Sequence, residues 1–322
     1  MMDDRLIRAA EHWSQMEAPK GRPHWWMHPA IVRHVNRLVC GEAIDGQSAG
    51  FHRLIEAEAP KGGFPRAISV GSGVAAKEIA LLSDGIVQHF DLFEISEDRL
   101  RASKRLARRH GVFDRIDFHC ANAFERAFPD GFDLVYWNSS LHHMFDAHAA
   151  VAWSYRNLKP GGCFAMDEFV GATRFQWTDA ELDIASDIRA SLSGQLMRDP
   201  GNPTRSLDGR VLRPDLDAFI AADPSEAADS ANILGAVRAF FPEARITLTG
   251  GVVYSLALDQ VLANFDDVKD AARLESLLQL DERLIEDGHV HQAIAIARKG
   301  RMAARGGKWR WWDALRRLAH RR

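Results

Sequence analysis

The sequence predicts a doubly wound, mainly parallel α/β sheet, with helices ahead of it and a helical insertion before its last two strands. Three observations carry this expectation. The apolar run Ala67-Ile-Ser-Val70 reads as a buried strand, breaks at Gly71-Ser72-Gly73, and passes into a helical pattern at Ile79, Leu81 and Leu82. Four further short apolar runs follow, alternating with helical or turn signals. The chain has 322 residues, 46% hydrophobic and 26% charged, which suits one large globular domain or two small ones.

Residues 1 to about 40 read as helical pieces divided by Pro23 and Pro29, rich in tryptophan and histidine. We expect a helical cap over residues 1–50, with Trp26 and His28 as candidate substrate-facing side chains of a lid. The glycine turn follows the first strand. Glycine lets a ligand lie against the backbone, and the N–H groups at the next helix start are free to bind it. His89-Phe-Asp-Leu-Phe-Glu94 reads as a second strand ending in a carboxylate, 23 positions after Gly71. That is near the roughly 20-residue spacing at which an acid reaches a ribose, whose two hydroxyls one carboxylate can accept.

Ser96 then caps a helix with Glu97 and Asp98 in its first turn, Arg108, Arg109 and His110 in its last, and Gly111 after it. These charges are explained by the helix dipole. The third strand, Arg115 to Cys120, runs into Ala121-Asn122-Ala123. The fourth, Phe132 to Asn138, runs into Ser139-Ser-Leu-His142-His143. A helix over 151–158 leads to a turn at Lys159-Pro-Gly-Gly162 and a fifth strand, Cys163 to Met166, ending at Asp167-Glu168-Phe169. Ligands of such sheets bind outside the carboxyl ends of the strands. Gly71, Glu94, Asn122, Asn138, His142, His143, Asp167 and Glu168 should therefore meet in one crevice.

Residues 171–242 interrupt the alternation and read as a substrate-side insertion. Arg174, Gln176 and Trp177 enter it, and Arg174 and Trp177 are candidate substrate contacts. Thr178-Asp-Ala-Glu181 is a capping box, and Asp223-Pro-Ser-Glu226 reads as a second helix start. Arg245 to Leu258 reads as a strand with a bulge at Gly250-Gly251, 268–286 as an amphipathic helix, and 289–297 as the last strand, with His289 and His291 on its surface. Residues 301–322 carry eight basic residues against Asp313, and a helix over 308–322 would set Trp311, Trp312, Leu315 and Leu318 on one face. This basic aromatic tail is expected to touch an anionic membrane surface.

A net charge of −3 gives no pull towards nucleic acid. Cys40, Cys120 and Cys163 lie far apart, which predicts a reducing compartment, no structural zinc and no metal site. Met1-Met-Asp-Asp-Arg5 leads into no long apolar run, so a cytoplasmic protein, peripheral at the inner membrane face if the tail binds there, is expected.

The ordered set Val70-Gly-Ser-Gly73, Glu94, Cys120-Ala-Asn-Ala123, Phe132-Asp-Leu-Val135 with Leu141-His-His143, and Leu158-Lys-Pro-Gly-Gly162 resembles the class I S-adenosylmethionine-dependent methyltransferases. The resemblance covers about residues 60–170 and implies a Rossmann-like domain, here over 51–300. It implies that Val70, Gly71, Ser72 and Gly73 pack under the methionine part of the cofactor and that Glu94 binds the ribose. It implies that Ala121, Asn122 and Ala123 face the adenine, with Asn138 beside the cofactor. The chain departs from the family at Ser69, where an acid is common, at Ala75, where a third glycine is common, and at Asn122 in place of Asp.

The function so implied is methyl transfer to a hydroxylated small molecule or glycan. The reading of a nicotinamide dehydrogenase stays open on Gly71-x-Gly73-x-x-Ala76, as does that of a non-catalytic cofactor-binding protein. Methyl transfer to a hydroxyl requires a proton acceptor. His143, His142 and Glu168 are the candidates, the histidines because they titrate near neutral pH.

Overall fold

The computed structural model describes residues 4–15, 22 and 24–300. The basic tail therefore lies outside the described residues. Strands β1 (Ala67–Val70), β2 (Phe90–Glu94), β3 (Ile116–Cys120), β4 (Phe132–Asn138), β5 (Leu158–Phe169), β6 (Arg245–Gly250) and β7 (Gln292–Arg298) form one sheet in the order β3-β2-β1-β4-β5-β7-β6. The first five are parallel, and β7 runs antiparallel between β5 and β6. The order reverses beside β1 and β4, which opens a crevice at their carboxyl ends.

Alternation along β4 explains the two layers. Leu134 and Tyr136 face α2 (Pro29–Cys40), α3 (Ala49–Glu58) and α4 (Ala76–Ser83) through Ile31, Phe51, Ile55 and Leu82. Val135 and Trp137 face the opposite layer through Val151 and Trp153 of α6 (Ala147–Asn157) and Val237 of α9 (Ile233–Phe240). Both faces are thus sealed, as a parallel sheet requires. Helix α5 (Glu97–Arg109) starts as expected, with Ser96 Oγ accepting from the Arg99 N–H. Helix α1 (Asp4–Gln15) crosses towards α5, where Ser14 Oγ lies 2.9 Å from Ser96 Oγ.

Four local expectations are corrected. Lys159-Pro-Gly-Gly162 is not a turn ahead of β5 but a bulge within it, between the pairs Phe132↔Leu158 and Leu134↔Cys163. A Cβ at Gly162 would sit 2.9 Å from the Lys159 carbonyl oxygen, which fixes glycine there. The strand expected to reach Leu258 stops at Gly250, and Val252–Ala257 form a π-helix. Gly250 and Gly251 take φ of +84° and +117°, and the buried Asp281 of α10 (Ala271–Glu286) accepts the N–H groups of Gly251 and Val253, both at 2.7 Å. His291 is not on the surface: it is 1% exposed and its Nε2 lies 3.0 Å from Glu181, the capping-box acid of α7 (Asp179–Ala190). Asp223-Pro-Ser-Glu226 starts no helix. Asp223 instead accepts the N–H and hydroxyl of Ser225, both at 2.7 Å, in a compact turn.

Candidate active site

At the end of β1 the chain turns through Gly71 (φ +70°) and Gly73 (φ +56°). The N–H of Gly71 bonds the Phe93 carbonyl at 2.8 Å, locking the turn to β2. A Cβ on Gly71 would stand 3.1 Å from the Ser140 Cβ, so the turn and the segment after β4 approach as closely as glycine allows. Glu94 is 5% exposed, and its two oxygens accept the N–H groups of Gly73 at 2.7 Å and Ser96 at 2.8 Å. Burial raises its pKa, against the pull of those amides. Each oxygen keeps a lone pair for a further donor. The acid missing at 69 is supplied from α4: the Ser69 hydroxyl donates to the buried Glu78 at 2.7 Å. Ala75 takes the left-handed φ of +57° that glycine would adopt without strain.

A cavity of about 240 Å³ opens between these ends. Val70 and Gly71 form its floor, Phe93, Ala121, Ala123 and Phe124 its apolar walls, and Asn122, His143 and Asp146 its polar ones. Asn122 is held by local bonds, its carbonyl oxygen accepting from the Phe124 N–H and its amide donating to Glu125, both at 3.1 Å. Leu6 of α1 also lines the cavity. Trp13, from the same helix, meets His143 edge-on at 4.9 Å between ring centres and lies under the Arg99 guanidinium at 4.7 Å. Of the N-terminal segment expected as a lid, Leu6 lines this cavity and Trp13 reaches its wall through His143; the sequence singled out neither for this place.

Asn138 takes a different place from the one expected of it. Its carbonyl oxygen accepts from Lys77, and its amide donates to Ser48 at 3.1 Å and Tyr136 at 3.0 Å. Ser48 in turn donates to Asp167 at 3.2 Å, whose carboxyl burial pushes up to about 6. This network borders a second, small cavity walled by Trp25, Trp26, Lys77, Ser139 and Asp167. Trp26 lines it, stacked on His24 at 4.5 Å. His28 does not: it is 1% exposed at the start of α2, with its Nε2 3.7 Å from Asp267. Trp177 also packs inward, stacked on Phe175 at 5.1 Å, with its Nε1 buried. Both side chains are large enough to serve as packing, and the fold uses them so.

The double histidine ends in a dense polar cluster. Glu168 is 1% exposed; one oxygen accepts the N–H groups of Ser140 and Leu141 at 2.8 Å each, and the other pairs with His142 Nδ1 at 2.7 Å. With its oxygens so occupied, Glu168, one of the three candidate proton acceptors, holds the 139–143 turn in place. Burial pushes its carboxyl up, but His142 and the amides outweigh that and hold it below the usual range. Burial depresses His142, and the bond and charge of Glu168 more than reverse it. His143 is driven down to about 4 by burial first and then by the charge of His142. The turn at 223–228 closes the cluster, tied by the Ala228 N–H to the His142 carbonyl at 2.9 Å. It brings Ser225 Oγ to 3.2 Å from His143 Nδ1 and Glu226 to 3.8 Å from His142 Nε2. Arg174 braces it, donating to the Glu226 carbonyl at 2.9 Å, so this residue meets the cluster as a support. Asp223, Ser225 and Glu226 were missed as site residues because their sequence pattern also fits a helix start.

A sequence model of the family described as "Methyltransferase domain" matches residues 67–164, the stretch that builds the floor and walls of the larger cavity. Residues 67–164 thus form a methyltransferase domain of the class I S-adenosylmethionine-dependent type. The domain's cofactor is S-adenosylmethionine, and the cavity fits it. Glycine at 71 keeps the floor free of a side chain, most of the wall residues are apolar, as an adenine would need, and the Glu94 carboxylate stands beside the turn at the end of β2, bonded to Gly73 and outside the cavity's lining. Val70, Gly71, Ser72, Gly73 and Glu94 would hold its methionine and ribose parts, and Ala121, Asn122 and Ala123 its base.

The 27-O-demethylrifamycin SV methyltransferase of Amycolatopsis mediterranei (strain S699) is 35% identical over 104 residues, 32% of this chain and 37% of that one. The cycloartenol-C-24-methyltransferase of Arabidopsis thaliana is 32% identical over 119 residues, 36% of this chain and 34% of that one. The matched stretches thus span about a third of these relatives' length. In fold, the chain resembles the geranyl diphosphate C-methyltransferase from Streptomyces coelicolor A3(2), with a TM-score of 0.56 at 12% identity over 92% of this chain and 98% of that one.

One expected result arises from Glu94. Glu94→Ala weakens S-adenosylmethionine binding by about 1.5–3 kcal/mol, the usual range for hydrogen bonds to a charged group. Calorimetric titration of the folded variant reads this, and unchanged affinity would remove Glu94 from the site.

Proposed function

We propose that this chain is an S-adenosylmethionine-dependent methyltransferase that acts on a hydroxyl group of a small-molecule acceptor. The observation that carries this reading is the double membership of His143. It is part of the cofactor cavity wall and part of the histidine–carboxylate cluster. The cofactor, when bound, supplies a methyl group made electrophilic by its sulfonium. What the protein must add is water exclusion, alignment and a place for the hydroxyl's proton. Leu6 of α1 lines the cavity and Trp13 backs His143 edge-on, apolar groups that would keep water from the reacting atoms. His142 is oriented by Glu168, and the imidazole of His143, unprotonated at neutral pH, stands where a hydroxyl proton can be taken up. Ser225 and Asp223 continue the path behind it, at 3.2 and 2.7 Å steps. A hydroxyl acceptor needs such a group at the cavity wall, which favours oxygen over an acceptor with no proton to lose.

The test is transfer of a labelled methyl group by the full-length protein to a panel of hydroxylated acceptors. The product should be one methyl ether per turnover, read by mass and by the methoxy resonance. Methyl appearing on carbon alone, or no transfer across the panel despite cofactor binding, would overturn the reading.

A further inference from the structure

We propose that His142, His143 and Glu226 form a binding site for one divalent transition-metal ion, set against the cofactor cavity. The sequence had predicted no metal site, because no cysteine pair or spaced histidine motif is present. Spatially the three residues meet. His142 Nε2 and His143 Nδ1 lie 3.8 and 4.0 Å from the two carboxylate oxygens of Glu226. The three candidate ligand atoms all fall within 4.8 Å of one another. Ligands around a tetrahedral ion with bonds of about 2.0 Å stand about 3.3 Å apart. The ligand atoms must therefore approach one another by about 0.5–1.5 Å, within the reach of side-chain rotation at Glu226 and His143.

Two further features point to a cation. The first is the surroundings of His142. A metal-bound histidine usually gives its other ring nitrogen to a carboxylate, which fixes the ring and strengthens the ligand. Glu168 does this here, at 2.7 Å from His142 Nδ1, and leaves Nε2 directed at Glu226. The second is Asp223. It is 5% exposed, and its Oδ2 has no hydrogen-bond partner among the described residues, with His12 Nε2 3.8 Å away. Its charge bears on His142, His143 and Arg174 alike. Glu168, Asp223 and Glu226 thus crowd three carboxylates around two imidazoles and Arg174, and a buried carboxylate calls for a compensating cation. When an ion binds, His143 exchanges its 3.2 Å contact with Ser225 for the metal, and Ser225 keeps its bond to Asp223.

Two imidazoles and one carboxylate suit zinc and its neighbours in the transition series, with a coordination position left for an oxygen ligand. That position adjoins the cavity His143 lines, so the ion would hold and acidify an acceptor hydroxyl, whose proton would pass to solvent. In the metal-bound form His143 serves as a ligand and the ion takes over its role in activating the hydroxyl. This role rests on the methyl-transfer reading; the binding site itself does not.

The experiment is calorimetric titration of the full-length protein, stripped with chelator and exchanged into metal-free buffer, with zinc chloride, without cofactor or acceptor. Cobalt(II) chloride provides a parallel titration read by its visible absorption. One ion per chain is expected. Glu226→Gln, a partly exposed and isosteric change, should lower affinity at least tenfold. Glu168→Gln, which keeps the three ligands, should lower it about 10–100-fold. Thermal denaturation confirms that each variant is folded. No saturable one-to-one binding, or equal affinity in the wild type and folded Glu226→Gln, would overturn the site. Metal uptake without methyl transfer would remove the enzymatic reading and leave the site standing. Methyl transfer with no uptake would do the reverse.

Discussion

His143→Ala is expected to lower turnover by about 10²–10⁴-fold, the range for loss of a positioned proton-transfer group. Cofactor affinity should change by less than about tenfold, because the lost side chain forms only one part of a wall that Val70, Gly71, Phe93 and Ala123 complete. The split between the two readouts is the test. Single-turnover rates with saturating cofactor give one, and calorimetry gives the other. Equal losses in both would make His143 a packing residue of the cofactor cavity. An unchanged rate would take it out of acceptor activation.

The second large effect falls far from the chemistry. Asp281→Ala should destabilise the fold by about 2–5 kcal/mol, because two buried N–H groups, those of Gly251 and Val253, lose their acceptor. Gly250→Ala should act at the same point, since its Cβ would come to 2.0 Å from Asp281 Oδ2. Both act through the π-helix that follows, whose Tyr254 packs on Trp25 at 5.2 Å. Thermal denaturation should show a fall of about 5–15 °C for Asp281→Ala. A shift under about 2 °C would mean that the amides find other partners.

These two sites show where the sequence could and could not be read. The turn at Gly71 and Gly73 and the acid at the end of β2 were legible because each is local. The strand break, the positive φ and the spacing to Glu94 all follow from residues near one another in the chain. The capping box at Thr178 and the N-cap at Ser96 were legible for the same reason. The break at Gly250 was visible, but its consequence was not. A bulged strand and a π-helix share those glycines, and Asp281, some 30 residues on, decides between them.

The sequence by itself determined the fold class, the methyltransferase motifs and the crevice at the carboxyl ends of the strands. Periodicity, glycine turns and strand ends are properties of short stretches. The tertiary structure alone decided which polar residues share an environment. It buried Glu168 under three N–H groups and His142, so that this candidate base holds a turn together. It set Trp13 against His143 and sent His28 and Trp177 into packing. It carried Ser225 to His143 across 82 positions. Burial and partnership set the charge and role of a titratable group, and both are fixed by contacts between segments distant in the chain.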